Sequence, residues 1–389
     1  MDSMEESTNA LAEKVLLGVG LGTSALLADL GYSLGLFDAL AASDEGQTAA
    51  EIAQRTGLVE RYVADWLANQ VAAGFVSLAR PVECPPRFFL KEAQKRVFLQ
   101  LEHLACQLGP LRGMTPMAYN VLNRLPRDFK EGKGIRWSEN LPVEFQVCDI
   151  FRRKESPDNM LKPIISAFPK HLIERLENSC GEPLLVLDVG CGTGYYVKHL
   201  AKRYPSHLFV GMDAHEPSLE SARLLSLKEG LTPHNPLFFA GDALSIPTPH
   251  EIPSLLHSVQ IISHRNSPPT AFDVMIITDT LHDLPDPLAA LESMRAHLQP
   301  EGILIVQELG FKNPKLECLG DTLDILLSSS AITMCGPNGM AGRCDGRPSR
   351  SEHLGTLATD EKYFELAKRA GFLEVSKVAE RLFLMSLVR

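Results

Sequence analysis

The chain is short of cations. Its 389 residues carry 38 Lys and Arg against 48 Asp and Glu, a formal net charge of −10 at pH 7. That balance argues against nucleic acid or an anionic membrane as the main partner, because neutralising phosphates takes a surplus of Lys and Arg. It also lacks a cysteine framework. Eight cysteines are scattered without a C-x-x-C pair, which excludes a disulfide scaffold and reads as reduced thiols in a cytoplasmic protein. The first residues, MDSMEESTN, are acidic and polar and do not have the form of a secretory or transit signal. The apolar run from Val15 to Ala28 reads as too short to span a bilayer and closes at Asp29. His250, His257 and His264 have neither metal-site spacing nor a matching set of carboxylates, so they read as surface residues and no metal is expected. The chain shows no internal repeat and no low-complexity segment.

What is present suits a two-domain globular protein: 45% hydrophobic and 22% charged residues. Residues 184–213, LLVLDVGCGTGYYVKHLAKRYPSHLFVGMD, organise the rest. Leu184 to Val189 is an apolar run rich in branched side chains, the pattern of a buried parallel strand. It carries Asp188 near its end and then turns through Gly190, Gly192 and Gly194. Tyr195 to Arg203 has helical spacing, with Val197, Leu200 and Ala201 on one face and Lys198, Lys202 and Arg203 on the other. Pro205 stops this helix, and a second strand from Leu208 ends at Asp213. A strand, glycine loop, helix and acid-tipped strand bind a nucleoside-bearing cofactor. The glycines admit close approach of the backbone, and the acid accepts from a ribose diol. A pyrophosphate needs a small residue where Tyr195 stands. The acid before the loop repels phosphate but suits the cationic sulfonium and ammonium groups of S-adenosylmethionine.

At these residues the chain resembles the class I S-adenosylmethionine-dependent methyltransferases, whose first motif matches Asp188-Val-Gly190-Cys-Gly192-Thr-Gly194. The resemblance implies an α/β fold, a Rossmann-like seven-stranded methyltransferase sheet, with S-adenosylmethionine as cofactor. It assigns Asp242 to the adenine amino group and the Ala243 backbone to the ring edge, after a third strand at Leu237 to Ala240. On chemistry alone, Asp242 is also a turn residue capping the next segment. ERYVADWLANQVAAGF, LHDLPDP and MCGPNGMAG also recur in a two-domain family of this type.

Residues 10–41 read as a glycine-interrupted helix. Gly18, Gly20 and Gly22 would be compensated by close approach of a second helix, an oligomer or domain contact, or the segment is a plain buried helix. A homodimer through the N-terminal helices is one expectation. Thr48 and Glu51 form a capping box for a helix ending at Gly57. Glu60 to Ala73 is the next helix, and Phe75 to Leu78 and Arg87 to Leu90 form a hairpin, which together make a winged helix. Its second helix offers Arg61 as the only cation, and Asn69 and Gln70 sit late, so a structural role is favoured over base reading. Further on, the sequence reads as a helix over Val97 to Leu108, a charged loop over Pro126 to Gly134, and Trp137 on a connecting loop. A helix from Val143 to Phe151 and helical structure over Leu161 to Leu176 follow. The domains are read as 1–92, a helical winged-helix domain; 93–160, a helical linker and cap; and 161–389, the cofactor-binding domain.

The chemistry is expected after the fourth strand, Phe272 to Thr278, because ligands of open α/β sheets sit beyond the carboxyl ends of the strands. His282 follows. Methyl transfer needs an in-line nucleophile and often a base for its proton, and imidazole titrates near neutrality. Asp283 is placed to orient it. The Leu-His-Asp run resembles that of plant O-methyltransferases, which implies a catalytic base at His282 and a partner carboxylate at Glu308, ending the fifth strand. The family's second carboxylate aligns with Leu357, a departure. The other reading of His282 is a strand–helix turn residue that moves no proton. Leu316 to Thr333 reads as a helix, CGPNGMAGRCDGRPSR as a flexible lid loop, and Cys335 and Cys344 as bystander thiols. A last helix, Lys362 to Arg369, and a two-stranded hairpin close the chain. The function read from sequence is methyl transfer from S-adenosylmethionine to a small-molecule oxygen or sulfur nucleophile. The alternative is an S-adenosylmethionine-sensing, DNA-binding regulator.

Overall fold

The computed structural model describes residues 2–79, 84–100, 106–107, 111–112, 121–139, 156–178, 182–252, 254–263, 269–308, 322–342 and 352–388. The chain divides into two compact units, Met1–Tyr119 with Gln146–Glu155, and Asn120–Phe145 with Ser156–Arg389.

The first unit is helical with a small hairpin. It runs α1 (Asp2–Ser33), α2 (Leu36–Ala41), α3 (Ala49–Thr56), α4 (Glu60–Ala72), β1 (Ser77–Leu78), β2 (Phe88–Phe89) and α5 (Glu92–Phe98). The expected capping box is present: Thr48 accepts from the Glu51 N–H while the Glu51 carboxylate accepts from the Thr48 N–H, and Gly57 closes α3 in the left-handed conformation. Phe37 anchors the core, edge-on to Trp66 at 5.3 Å and stacked on Phe98 at 5.0 Å. Trp66 also donates its indole N–H to the Leu27 carbonyl at 2.7 Å, tying α4 to α1. Arg61 pairs with Asp65 at 3.0 Å.

Helix α1 departs from expectation. Asp29 does not close the apolar run; the helix continues to Ser33, and the Asp29 carboxylate faces Arg112 at 3.5 Å. Glu6–Ser33 is long and apolar enough to cross a membrane by length and composition alone. Nor is it a buried helix: Leu11, Val15, Leu16, Leu17 and Val19 are 60–73% exposed. Nothing in the described residues approaches Gly18, Gly20 or Gly22; the close approach is at Gly31, where a Cβ would overlap the Trp66 ring.

The second unit begins with α6 (Leu125–Glu131), α7 (Pro157–Ser166) and α8 (Lys170–Glu177). It continues β3 (Leu185–Val189), α9 (Tyr195–Arg203), β4 (Leu208–Asp213), α10 (Glu216–Lys228), β5 (Leu237–Ala240), α11 (Leu255–Ser263), β6 (Phe272–Thr278), α12 (Pro287–Ala296) and β7 (Leu298–Gln307). Helices α13 (Thr322–Ser330), α14 (Gly336–Met340) and α15 (Asp360–Arg369) precede β8 (Glu374–Ala379) and β9 (Leu382–Ser386). The strands form one seven-stranded sheet in the order β5-β4-β3-β6-β7-β9-β8. Strands β3 to β7 run parallel, and β9 is antiparallel to both neighbours. Leu185, Leu187 and Val189 pack into a core on one face and Val186 into another. Burial on both faces is why these strands read as unbroken apolar runs.

Three segments are more helical than the sequence suggested. Residues expected as a charged loop form α6, with Pro126 in its first turn and Gly132 as its left-handed cap; proline is at home at a helix start, where its missing N–H has no partner to lose. Residues 255–263 form α11 rather than loop. The glycine-containing stretch after α13 is a π-turn, Ala331–Cys335, running into α14. Ile135 N–H donates to the Pro337 carbonyl at 2.9 Å, and a Cβ on Gly134 would collide with the same turn, so residues 335–341 are packed in place. Trp137 stands half-buried in a short 3-10 turn. Helix α5 ends at Phe98, earlier than expected. The expected helix at 143–151, His264 and Cys344 lie outside the described residues.

Candidate active site

Each candidate site residue lies at the carboxyl edge of the parallel strands, which is where the helical crossovers of an open sheet leave room for a ligand. Asp188 is the penultimate residue of β3 and fully buried. The loop after it adopts φ of 72°, 54° and 73° at Gly190, Gly192 and Gly194, the left-handed region that glycine enters without a Cβ penalty. Crowding enforces the same choice: a Cβ on Gly190 would meet Thr280, and one on Gly194 would meet the Phe238 ring. Gly190 and Cys191 N–H groups donate to the Met212 carbonyl at 2.8 and 3.0 Å. Asp213, ending β4, accepts from the Gly192 N–H at 2.8 Å and from the His215 N–H at 2.9 Å. The loop is therefore clamped to β4, and Asp213 is the clamp.

Asp242 and Ala243 follow β5, the outermost strand of this edge. Asp242 accepts from the Leu244 N–H at 2.9 Å, the turn-capping bond expected as its bland role. His250 and His257 are exposed, and His257 packs edge-on against His234.

On the other side of β3, β6 ends at Thr278, and Asp279, the next residue, holds φ 47°. A left-handed, non-glycine residue at a strand end is a strained position of the kind that clusters at functional sites. The turn Leu281–Asp283 follows, and the Glu308 carboxylate holds it. One Glu308 oxygen accepts from the Leu281 N–H at 2.9 Å and the other pairs with His282 Nδ1. The His282 carbonyl accepts from the Gly355 N–H at 3.0 Å. His282 Nε2 lies 3.2 Å from Asp283 Oδ1. Leu357 is exposed, and the second carboxylate beside His282 is that of Asp283. Burial alone would depress the His282 pKa, but Asp283 and Glu308 outweigh it and hold the imidazole well above its ordinary value.

Cys335, expected as a bystander thiol, lies closer to the candidate site than its place in the sequence suggests. The π-turn brings its thiol to His282 and Asp283, with ligand atoms of all three within 4.8 Å of one another. Burial, reinforced by the Asp283 charge, pushes this thiol up to about 12, and Asp283 itself is raised by burial. Asn338, one turn on, is also buried. No sequence spacing announces either residue. The only signal is the unusual composition of MCGPNGMAG, whose packing brings residues more than fifty positions from His282 into contact with it.

Residues 182–325 match a family model described as "Methyltransferase domain", and residues 22–83 match one described as "Rv2258c-like winged HTH domain". The ubiquinone biosynthesis O-methyltransferase of Histophilus somni (strain 2336) is 30% identical over 168 residues, 42% of this chain and 62% of the relative. The chain thus spans less than two thirds of the length of this curated relative. Among solved structures, the mitomycin 7-O-methyltransferase MmcR has a TM-score of 0.66 at 13% identity, covering 99% of this chain and 98% of that one. Human N-acetylserotonin methyltransferase, solved in complex with SAM, has a TM-score of 0.59 at 17% identity, covering 96% and 97%. At such identities the likeness shows the fold. The chain therefore carries a methyltransferase domain and, N-terminal to it, an Rv2258c-like winged-helix domain, on a sheet whose order fits the first of these.

Proposed function

We propose that this chain transfers a methyl group from S-adenosylmethionine to an oxygen or sulfur nucleophile of a small molecule. The observation that carries the reading is the clamped glycine loop of Asp213 lying in the same row of strand ends as the His282–Glu308 pair. The residues present fit the donor. Asp188, Asp213 and Asp242 supply negative charge at the edge, and the loop Gly190 to Gly194 holds no Lys or Arg, a set that suits a cationic sulfonium better than a phosphate. Gly190, Gly192 and Gly194 would admit the donor's approach, Asp213 would accept from its ribose, and Asp242 with the Ala243 backbone would meet its adenine. When bound, the donor supplies an electrophilic methyl carbon.

The chain's own part is to place the acceptor and dispose of its proton. His282 is our candidate base, oriented by Glu308 at Nδ1, with Asp283 as its second neighbour. Its Nε2 faces Asp283 and Cys335 in this structure, so an acceptor has to displace that contact to reach it. The relatives named as O-methyltransferases favour an oxygen acceptor; a thiol needs less help because its pKa starts near 8.5. The regulator reading gains nothing from α4, whose cation Arg61 is paired with Asp65.

Calorimetry with S-adenosylmethionine and its demethylated product tests the cofactor: heat at about one site per chain is expected, and none from the folded protein overturns the reading. Labelled donor offered with small thiols, phenols and amines then reports which acceptor carries the label.

A further inference from the structure

We propose that His282, Asp283 and Cys335 form a binding site for a zinc ion. Three side chains of different ligand chemistry, an imidazole nitrogen, a carboxylate oxygen and a thiol sulfur, bring their ligand atoms within 4.8 Å of one another. That mixed N, O, S set suits zinc and poorly suits magnesium or calcium, which take oxygen.

The surroundings support the assignment. A zinc-bound histidine gives its other ring N–H to a carboxylate, which fixes the tautomer and orients the ring. Glu308 occupies that place at Nδ1 and is itself held by the Leu281 N–H, leaving Nε2 directed at the cluster. Asp283 Oδ1 meets His282 Nε2 at 3.2 Å as an ion pair without the geometry of a hydrogen bond. Asn338 is only 4% exposed and lies against the Asp283 carboxylate as a neutral neighbour. A carboxylate oxygen that is buried and incompletely satisfied is costly, and a cation at the cluster would satisfy it. Charge is compatible: a divalent ion that displaces the proton of the imidazole and the proton of the Cys335 thiol leaves the net charge of the cluster unchanged. Cys335 is delivered by a π-turn, an irregularity frequent at functional sites.

Three protein ligands leave a fourth position open, the pattern of catalytic rather than structural zinc. The site stands without the methyl-transfer reading, but with it the acceptor class narrows to thiols. A thiol held there would be acidified by the ion and give its proton to solvent; its sulfur would bond the methyl carbon as the donor's sulfonium C–S bond broke, leaving a neutral thioether. With zinc in place His282 would be a ligand, so the role of base proposed above belongs to the metal-free site.

The experiment is elemental analysis of metal-stripped full-length protein dialysed against zinc, followed by cobalt substitution. One zinc per chain is expected, with a thiolate-to-cobalt charge-transfer band in the near ultraviolet. Cys335→Ser should abolish the band, and Glu308→Gln, which removes no ligand, should weaken zinc about 10–100-fold. Failure of the wild-type protein to retain zinc overturns the proposal, as does binding unaltered in Cys335→Ser. If a variant does not fold, judged by circular dichroism, the wild-type cobalt spectrum decides alone. Donor calorimetry is a separate measurement, so zinc without donor binding, or donor binding without zinc, shows which of the two readings has failed.

Discussion

At the scale of single residues, the candidate site is held by carboxylates whose oxygens are spent on backbone N–H groups. Asp213→Ala would leave the Gly192 and His215 N–H groups without their acceptor. An unsatisfied buried donor costs about 1–3 kcal/mol, so the denaturant midpoint should fall and donor affinity with it. A midpoint equal to wild type would show that the clamp adds nothing. His282→Ala should lower turnover about 100-fold or more, the contribution of a positioned base, while donor affinity measured by calorimetry stays near wild type. Equal loss of both would make His282 a structural residue. His207 gives the pH prediction. Its Nδ1 accepts from the Leu184 N–H at 3.0 Å and its Nε2 faces the Leu176 carbonyl at 2.9 Å, so it is buried neutral. Burial lowers its pKa below the ordinary 6.5, against the raising influence of Asp273 and Glu177, with Arg175 lowering it further and Tyr204 packed beside it. A histidine depressed in the folded state binds more protons when unfolded. Its contribution to stability is therefore full above about pH 6.5 and is lost as pH falls below it. The difference in thermal midpoint between wild type and His207→Gln should shrink from pH 8 to pH 5.5; a constant difference would refute this.

At the scale of elements, local chemistry was legible wherever a cap or turn residue acts on its own neighbours. The Thr48 and Glu51 box appears as expected, and Thr48→Ala should cost about 1 kcal/mol in a urea titration; no change would mean α3 is held by packing alone. Strands β3 to β7 were also legible, because burial on both faces writes a continuous apolar run. The α6 segment was not. Its charges and Pro126 look like a loop until Gly132 is seen to cap a helix. The segment of Cys335 was missed for a different reason. Its glycine and proline suggest flexibility, yet Gly339 lies against His353 and Gly134 lies against the turn of Pro337. There, small residues mark close packing.

At the scale of the whole molecule, helix α1 is the open question that composition framed wrongly. Its exposed face of Leu11, Val15, Leu16, Leu17 and Val19 is where we place the contact of a homodimer. Val15→Glu with Val19→Glu should halve the mass seen by light scattering after size exclusion; a mass unchanged by the substitutions would refute the dimer, and flotation of wild type with lipid vesicles would assign the face to a membrane. The sequence alone determined the parallel sheet, the glycine loop and the positions of Asp188, Asp213, His282 and Glu308, because each sits at a strand end that an apolar run announces. Tertiary structure decided that Asp213 clamps the loop, that the Asp283 carboxylate turns onto His282, and that Cys335 and Asn338 are brought to this pair. The contacts of Asp213 with Gly192 and of Cys335 with His282 join residues distant in the chain, and packing chooses those partners, which leaves no periodic trace in the sequence.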